Sequence, residues 1–155
     1  MKTYGQILPG VKVLTHLKFH DDRGSFCELW KNNADTMRGD FRQVNIATSK
    51  KNVLRGMHRQ NQCKLVMPLY GTIFDVALNP ETKEWFGIEL DDMHGLFIPP
   101  QYAHGYLVLS ETSIVQYVVD RPYSKPDEEN FNWNEYGIEW PLDGEPILSA
   151  KDASK

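Results

Sequence analysis

The chain has 155 residues, 41% of them hydrophobic and 25% charged, with a formal net charge of -4. That length fits one domain over 1–155 with a sizeable core, and the acidic balance argues against a nucleic-acid-binding surface, which needs a clustered basic excess. No run reaches the roughly 18 apolar residues of a bilayer span and the start lacks a signal-peptide apolar core; Cys27 and Cys63 show neither disulfide-framework nor zinc spacing, so free thiols in the cytoplasm are expected.

In chain order, period-two apolar alternation predicts short strands over 12–19, 26–30, 41–48, 53–58, 64–69, 72–78, 85–89, 95–98, 102–109 and 113–120. Asp21-Asp22-Arg23-Gly24, Asn79-Pro80, Pro99-Pro100 and Arg121-Pro122 punctuate these runs. Many short strands with such turns predict an all-β jelly roll or barrel with a few short helices. The segment 125–155 loses the alternation and is expected to wrap the barrel. Helical content belongs there or around 32–37.

Three strands carry polar residues on faces that otherwise look buried. Asp75 shares a face with Ile73 and Ala77; Tyr102, His104 and Tyr106 alternate with Ala103, Gly105 and Leu107; Ser113, Val115, Tyr117 and Val119 form another row. A buried carboxylate needs a partner, so Asp75 is either a pocket group or a structural acid bonded to a neighbour. Strict alternation sets His58 on the face of Leu54 and Gly56, and the next strand opens with Lys64. Together these predict a cavity lined by His, Tyr, Asp, Arg and Lys. Position 60 is Gln rather than a second His, which leaves the ligand set for iron, manganese or zinc incomplete. His16, His20 and His94 are expected at the surface.

The ordered blocks Asp22-Arg23-Gly24-Ser25-Phe26-Cys27-Glu28, Gln43-Val44-Asn45, Val53-Leu54-Arg55-Gly56-Met57-His58, Lys64-Leu65-Val66, Phe74-Asp75-Val76-Ala77, Phe97-Ile98-Pro99-Pro100 with Ala103-His104-Gly105, Tyr117, and Gly137-Ile138-Glu139-Trp140-Pro141 cover most of the chain. In this it resembles the dTDP-4-dehydrorhamnose 3,5-epimerase family, which implies a cupin jelly-roll barrel. The resemblance implies His58 as general base, Asp152 of Ser149-Ala150-Lys151-Asp152 as its orienting carboxylate, Tyr117 as general acid, Lys64 and His104 facing the developing oxyanion, and Asp75 as a second pocket carboxylate. It further implies Phe26 and Tyr123 stacking on the base and Glu28 at the base edge; beside it, the planar donors of Arg23, Arg55 and Arg59 suit the two phosphates, with Gln43 and Asn45 as polar contacts in the same groove. It implies no metal and no cofactor, a homodimer, and a substrate that is a nucleoside-diphosphate 4-keto sugar, dTDP-linked by default with GDP or CDP as alternatives.

The chemistry explains the grouping. A 4-keto group acidifies the hydrogens at C3 and C5, so a base can remove one and leave an enolate on the C4 oxygen. A neutral imidazole, titrating in water near about 6.5, suits the base, and a phenol, near about 10, stays a donor. A preorganised cation stabilises the enolate.

Arg59 stands where the family usually has an aromatic residue, and the chain ends shortly after Asp152, so the pairing with His58 would rest on the last residues, with Asp75 as the substitute orienter. Inversion at C3, C5 or both is expected, in surface-carbohydrate or glycosylated natural-product synthesis. Two rivals stand beside it: a 3,4-ketoisomerase on the same frame, which would move the carbonyl, and a non-catalytic nucleotide-sugar-binding cupin.

Overall fold

The structure, a computed structural model, describes residues 1–31 and 40–153. The helix expected around 32–37 lies outside the described residues.

The strands are β1 (Thr3–Gly5), β2 (Lys12–Thr15), β3 (Lys18–Asp21), β4 (Gly24–Cys27), β5 (Gln43–Lys50), β6 (Leu54–Arg59), β7 (Lys64–Tyr70), β8 (Ile73–Leu78), β9 (Trp85–Leu90), β10 (His94–Ile98), β11 (Ala103–Val108), β12 (Thr112–Val119) and β13 (Glu129–Asn130). A 3-10 turn spans Lys125–Asp127, and one short helix, α1 (Ala150–Ala153), lies near the end of the described chain. A six-stranded sheet runs β1-β9-β8-β11-β6-β13 and a five-stranded sheet β2-β10-β7-β12-β5, with β3-β4 as a separate hairpin. This is the all-β jelly roll that the alternation predicts. The expected strand over 12–19 is two strands. The chain leaves the first at His16, whose amide bonds Met93 O and whose side chain is buried, against the surface placement expected for it. His20 is exposed and His94 half-buried beside Asp91. Strands β1 and β13 carry too few residues for a readable period and were not expected.

Inward residues of both sheets, among them Val66, Ile73, Ala77, Ile88, Leu96, Tyr106 and Val115, form the central core. The outer face of the six-stranded sheet, with Leu54, Met57, Phe74, Val76 and Leu107, is covered by Phe131, Trp133, Ile138, Trp140 and Leu148 of the terminal segment. The tail therefore wraps the barrel as expected. All six residues of β8 are buried because both faces are covered, and Asp75 takes the inward side with Ile73 and Ala77.

One irregularity decides the site. His104 pairs with His58, but Tyr106 pairs with Arg55, so β6 spends three residue steps where β11 spends two. This is a β-bulge, which re-aims the side chains beyond it. It turns Met57 to the outer face and puts His58 on the cavity side with Arg55, correcting the strict alternation that grouped His58 with Gly56. Gly56 is required there: its φ is +125°, and an added Cβ would lie 2.5 Å from Gly105 Cα and 2.8 Å from the His104 carbonyl oxygen.

Candidate active site

A cavity of about 500 Å³ opens between the two sheets, lined by Arg55, His58, Lys64, His104, Tyr106, Tyr117 and Asp152 together with the apolar Ala47, Val53, Leu54, Ile147 and Leu148. It falls within the usual size of a small-molecule site. His58 and His104 come from β6 and β11 of one sheet, Lys64 and Tyr117 from β7 and β12 of the other. The two groups therefore stand on opposite walls.

His58 Nε2 lies 2.7 Å from Asp152 Oδ1. With Nε2–H donating to the carboxylate, Nδ1 keeps the lone pair that can accept a proton. Asp152 reaches this position through α1. Ser149 caps that turn, its Oγ accepting from the Asp152 amide at 3.1 Å, and Asp152 Oδ2 accepts from the Gly56 amide at 3.4 Å. Lys151 adds an ion pair to Glu128 at 2.5 Å. Burial pushes the Asp152 carboxyl up, but the bond and charge of His58 outweigh it and hold the group below the usual carboxylate range. An ionised Asp152 orients the ring and stabilises an imidazolium.

A second pair stands beside the first. His104 Nε2 is 2.6 Å from Asp75 Oδ1, and Asp75 is fully buried. Asp75 thus bonds His104 through Oδ1, its Oδ2 having no partner among the described residues, while the carboxylate on His58 is that of Asp152. Lys64 is 8% exposed and its Nζ donates to the His58 carbonyl oxygen at 3.3 Å. Burial lowers its pKa to about 8, partly opposed by the charge of Asp75. Lys64 is an enclosed cation on the wall facing both histidines.

The residues expected to hold the nucleotide divide. Arg55 lines the cavity and its Nε donates to Ser49 Oγ at 3.1 Å. Gln43 and Asn45 lie on β5 on the face of Ala47, bonded to one another at 2.9 Å, and Gln43 Oε1 accepts from the Tyr123 amide at 2.9 Å. They form a polar shelf running away from Ala47. Arg59 is not brought there. It follows His58 on the strand and so projects to the opposite side, where Nη1 meets Glu81 at 2.6 Å, Nη2 meets Glu129 at 2.9 Å and the guanidinium stacks on Phe131 at 5.3 Å. Two carboxylates already satisfy its planar fork, so its expected phosphate contact is corrected to a strut holding β13 and the tail. Arg23, Phe26 and Glu28 also miss the cavity. Arg23 pairs with Asp21, while Phe26 and Glu28 border a separate groove with Phe19 and Trp30.

Among lining residues not expected, Ser149, Ile147 and Leu148 follow from the tail's path, which carries no period. Tyr106 was legible as an inward residue, though nothing in the sequence marked its hydroxyl. Among the described residues no group of three or more metal-binding side chains converges, and no helix is long and apolar enough to cross a membrane.

Residues 6–155 match the family model described as dTDP-4-dehydrorhamnose 3,5-epimerase. The chain is 38% identical over 164 aligned residues to the dTDP-4-dehydrorhamnose 3,5-epimerase of Salmonella typhimurium, covering 95% of this chain and 90% of that protein. The fold superposes with a TM-score of 0.89 on the Legionella pneumophila dTDP-6-deoxy-D-glucose-3,5-epimerase solved in complex with dTDP-4-keto-L-rhamnose, at 30% identity over 98% of this chain and 89% of that one. The Bacillus anthracis dTDP-4-dehydrorhamnose 3,5-epimerase, solved with TDP and PPi bound, gives 0.87 at 30% identity over 99% and 98%.

Proposed function

The chain belongs to the dTDP-4-dehydrorhamnose 3,5-epimerase family and is an epimerase of nucleotide-linked sugars, and from that premise we propose that it inverts both C3 and C5 of a dTDP-linked 4-keto-6-deoxyhexose, with His58 as base and Tyr117 as facing acid. The observation that carries this reading is the 2.7 Å His58–Asp152 pair set in one cavity with Tyr117, Lys64 and His104.

His58 takes the hydrogen from C5 or C3 as a proton, and the bonding pair moves into the ring to leave negative charge on the C4 oxygen. Lys64 and His104 stabilise that charge, the preorganised electrostatic contribution that usually dominates catalysis. Tyr117, on the opposite wall, delivers a proton to the other face of the same carbon. The imidazolium then loses its proton to solvent and the phenolate regains one. The second centre repeats these steps through the same C4 oxygen, and the carbonyl returns each time. Arg55 holds the diphosphate, and Gln43, Asn45 and Tyr123 receive the nucleoside.

A homodimer completes this account. Phe19, Phe26, Val44 and Ile46 are all more than half exposed, and a second copy covers such apolar surface. It also supplies a route by which Arg23, Phe26 and Glu28 on the β3-β4 hairpin meet a cavity other than their own. Light scattering should then give twice the 17.9 kDa chain mass. Free Cys27 and Cys63 fit a cytoplasmic setting.

Product analysis tests the reaction. Carbon-13 NMR after incubation with dTDP-4-keto-6-deoxyglucose should show the ketone still at C4 with both neighbours inverted, and slower turnover of GDP- and CDP-linked counterparts. A ketone moved to C3 makes the protein a ketoisomerase instead. Unchanged substrate leaves only a binding role.

A further inference from the structure

Past Val119 the chain leaves β12, and over the next residues its main chain is bonded by side chains. Gln62 Nε2 donates to the Arg121 carbonyl oxygen at 2.9 Å, Gln43 Oε1 accepts from the Tyr123 amide at 2.9 Å, and Gln60 Oε1 accepts from the Ser124 amide at 3.4 Å. Pro122 fixes its own φ and brings no donor. In the other direction Asp120 Oδ1 accepts from the Cys63 amide at 2.7 Å, so the loop between β6 and β7 and the segment 120–124 are stitched together. Gln60 and Gln62 are only 6% and 8% exposed, whereas Tyr123 on the segment they hold is 54% exposed, its hydroxyl donating to Glu128 Oε2 at 3.3 Å. Burying two long polar side chains costs rotamer freedom and contacts with water that an ordinary exposed turn does not require. What they fix is the backbone beneath one exposed aromatic ring.

We infer, building on the reading above that Tyr123 receives the nucleoside, that Gln60 and Gln62 are positioning residues for nucleotide binding, holding the main chain so that the Tyr123 ring is a stacking surface before the base arrives. A surface already ordered binds more tightly because less freedom is lost on binding. The Arg121 carbonyl can only accept and the Ser124 amide can only donate, so each fixes which end of its glutamine faces it. Gln62 acts as a donor and Gln60 as an acceptor, and both act on the ligand only through Tyr123.

The test is calorimetric titration with TDP, beside kcat and KM for dTDP-4-keto-6-deoxyglucose. Tyr123→Ala should weaken TDP binding by roughly tenfold, the worth of one base–aromatic contact. Gln62→Ala should weaken it by about threefold to tenfold, raising KM by the same factor with kcat within about twofold. Added to Tyr123→Ala, it should cost less than about twofold more, because the ring it positions is gone. Gln60→Glu, which keeps an acceptor for the Ser124 amide, should bind TDP within about twofold of the unmodified protein. Gln60→Met, of similar length without the acceptor, should lose about threefold to tenfold, and this pair decides the matter if Gln62→Ala does not fold. Unchanged affinity in Gln62→Ala, an effect that keeps its full size in the absence of the Tyr123 ring, or equal affinities in the Gln60 pair overturns the inference and leaves the nucleoside reading standing. Unchanged affinity in Tyr123→Ala, or no TDP binding by the unmodified protein, overturns both.

Discussion

Raising the pH above 8 should switch off catalysis through Lys64. Its ammonium is enclosed between the sheets, and burial lowers its pKa to about 8 despite the nearby Asp75 carboxylate. If the charged form stabilises the enolate, kcat/KM follows the charged fraction of the free enzyme. That fraction is about nine-tenths at pH 7 and about one-eleventh at pH 9, so activity should fall about tenfold between them and a further decade per unit, each decade being about 1.36 kcal/mol. The assay is the initial rate of epimerisation by proton NMR between pH 6 and pH 10. Lys64→Arg, whose guanidinium stays charged throughout, should move the alkaline limb beyond pH 10, and Lys64→Met should flatten it at a rate about 10²–10³ lower. Stability must move the other way. The folded pKa lies below the ordinary 10.5, so the unfolded chain binds more protons between about pH 8 and 10.5, and the fold gains up to about 3 kcal/mol over that window. A rate flat to pH 10, or a limb unmoved in Lys64→Arg, refutes the assignment.

Three further substitutions test the supports of the site. Asp152→Asn keeps the shape but removes the charge that orients His58, so kcat should fall about 10²-fold or more with KM little changed; an equal fall in the affinity for substrate would make Asp152 a binding group. Gly56→Ala meets Gly105 Cα at 2.5 Å and cannot relax at φ +125°; urea unfolding should show a loss of about 3 kcal/mol or more, and a fully stable variant would contradict the close approach of β6 to β11. Arg59→Ala should lower stability by about 1–3 kcal/mol through Glu129, Glu81 and Phe131 while KM stays within about threefold; a large rise in KM would restore Arg59 to the phosphates.

Much of the frame was legible because its strands keep a two-residue period. On β8, β11 and β12 the alternation alone placed Asp75, His104, Tyr106 and Tyr117 inward. It failed at His58 because one bulge inverts the faces, and a bulge depends on which residue of β11 lies opposite, which no local period records. Asp152 sits 94 residues from its partner, so only the resemblance pointed to it, and the polar network of the tail then holds it. Arg59 misled for a related reason. An arginine adjacent to a base in sequence suggests a ligand contact, yet neighbours on a strand face opposite ways, and its two acidic partners come from distant segments. Arg23, Phe26 and Glu28 read as site residues by motif, but one copy of the chain leaves them on a hairpin apart from the cavity.

The central claim is that one imidazole removes the proton and one phenol returns it from the other side. Heavy-water NMR of the 4-keto sugar with the unmodified protein, His58→Asn and Tyr117→Phe measures both halves at once. The unmodified protein should take up deuterium at C3 and C5 with inversion, His58→Asn should show neither exchange nor inversion, and in Tyr117→Phe exchange should outlast inversion. Undiminished exchange in His58→Asn, or undiminished inversion in Tyr117→Phe, would contradict it.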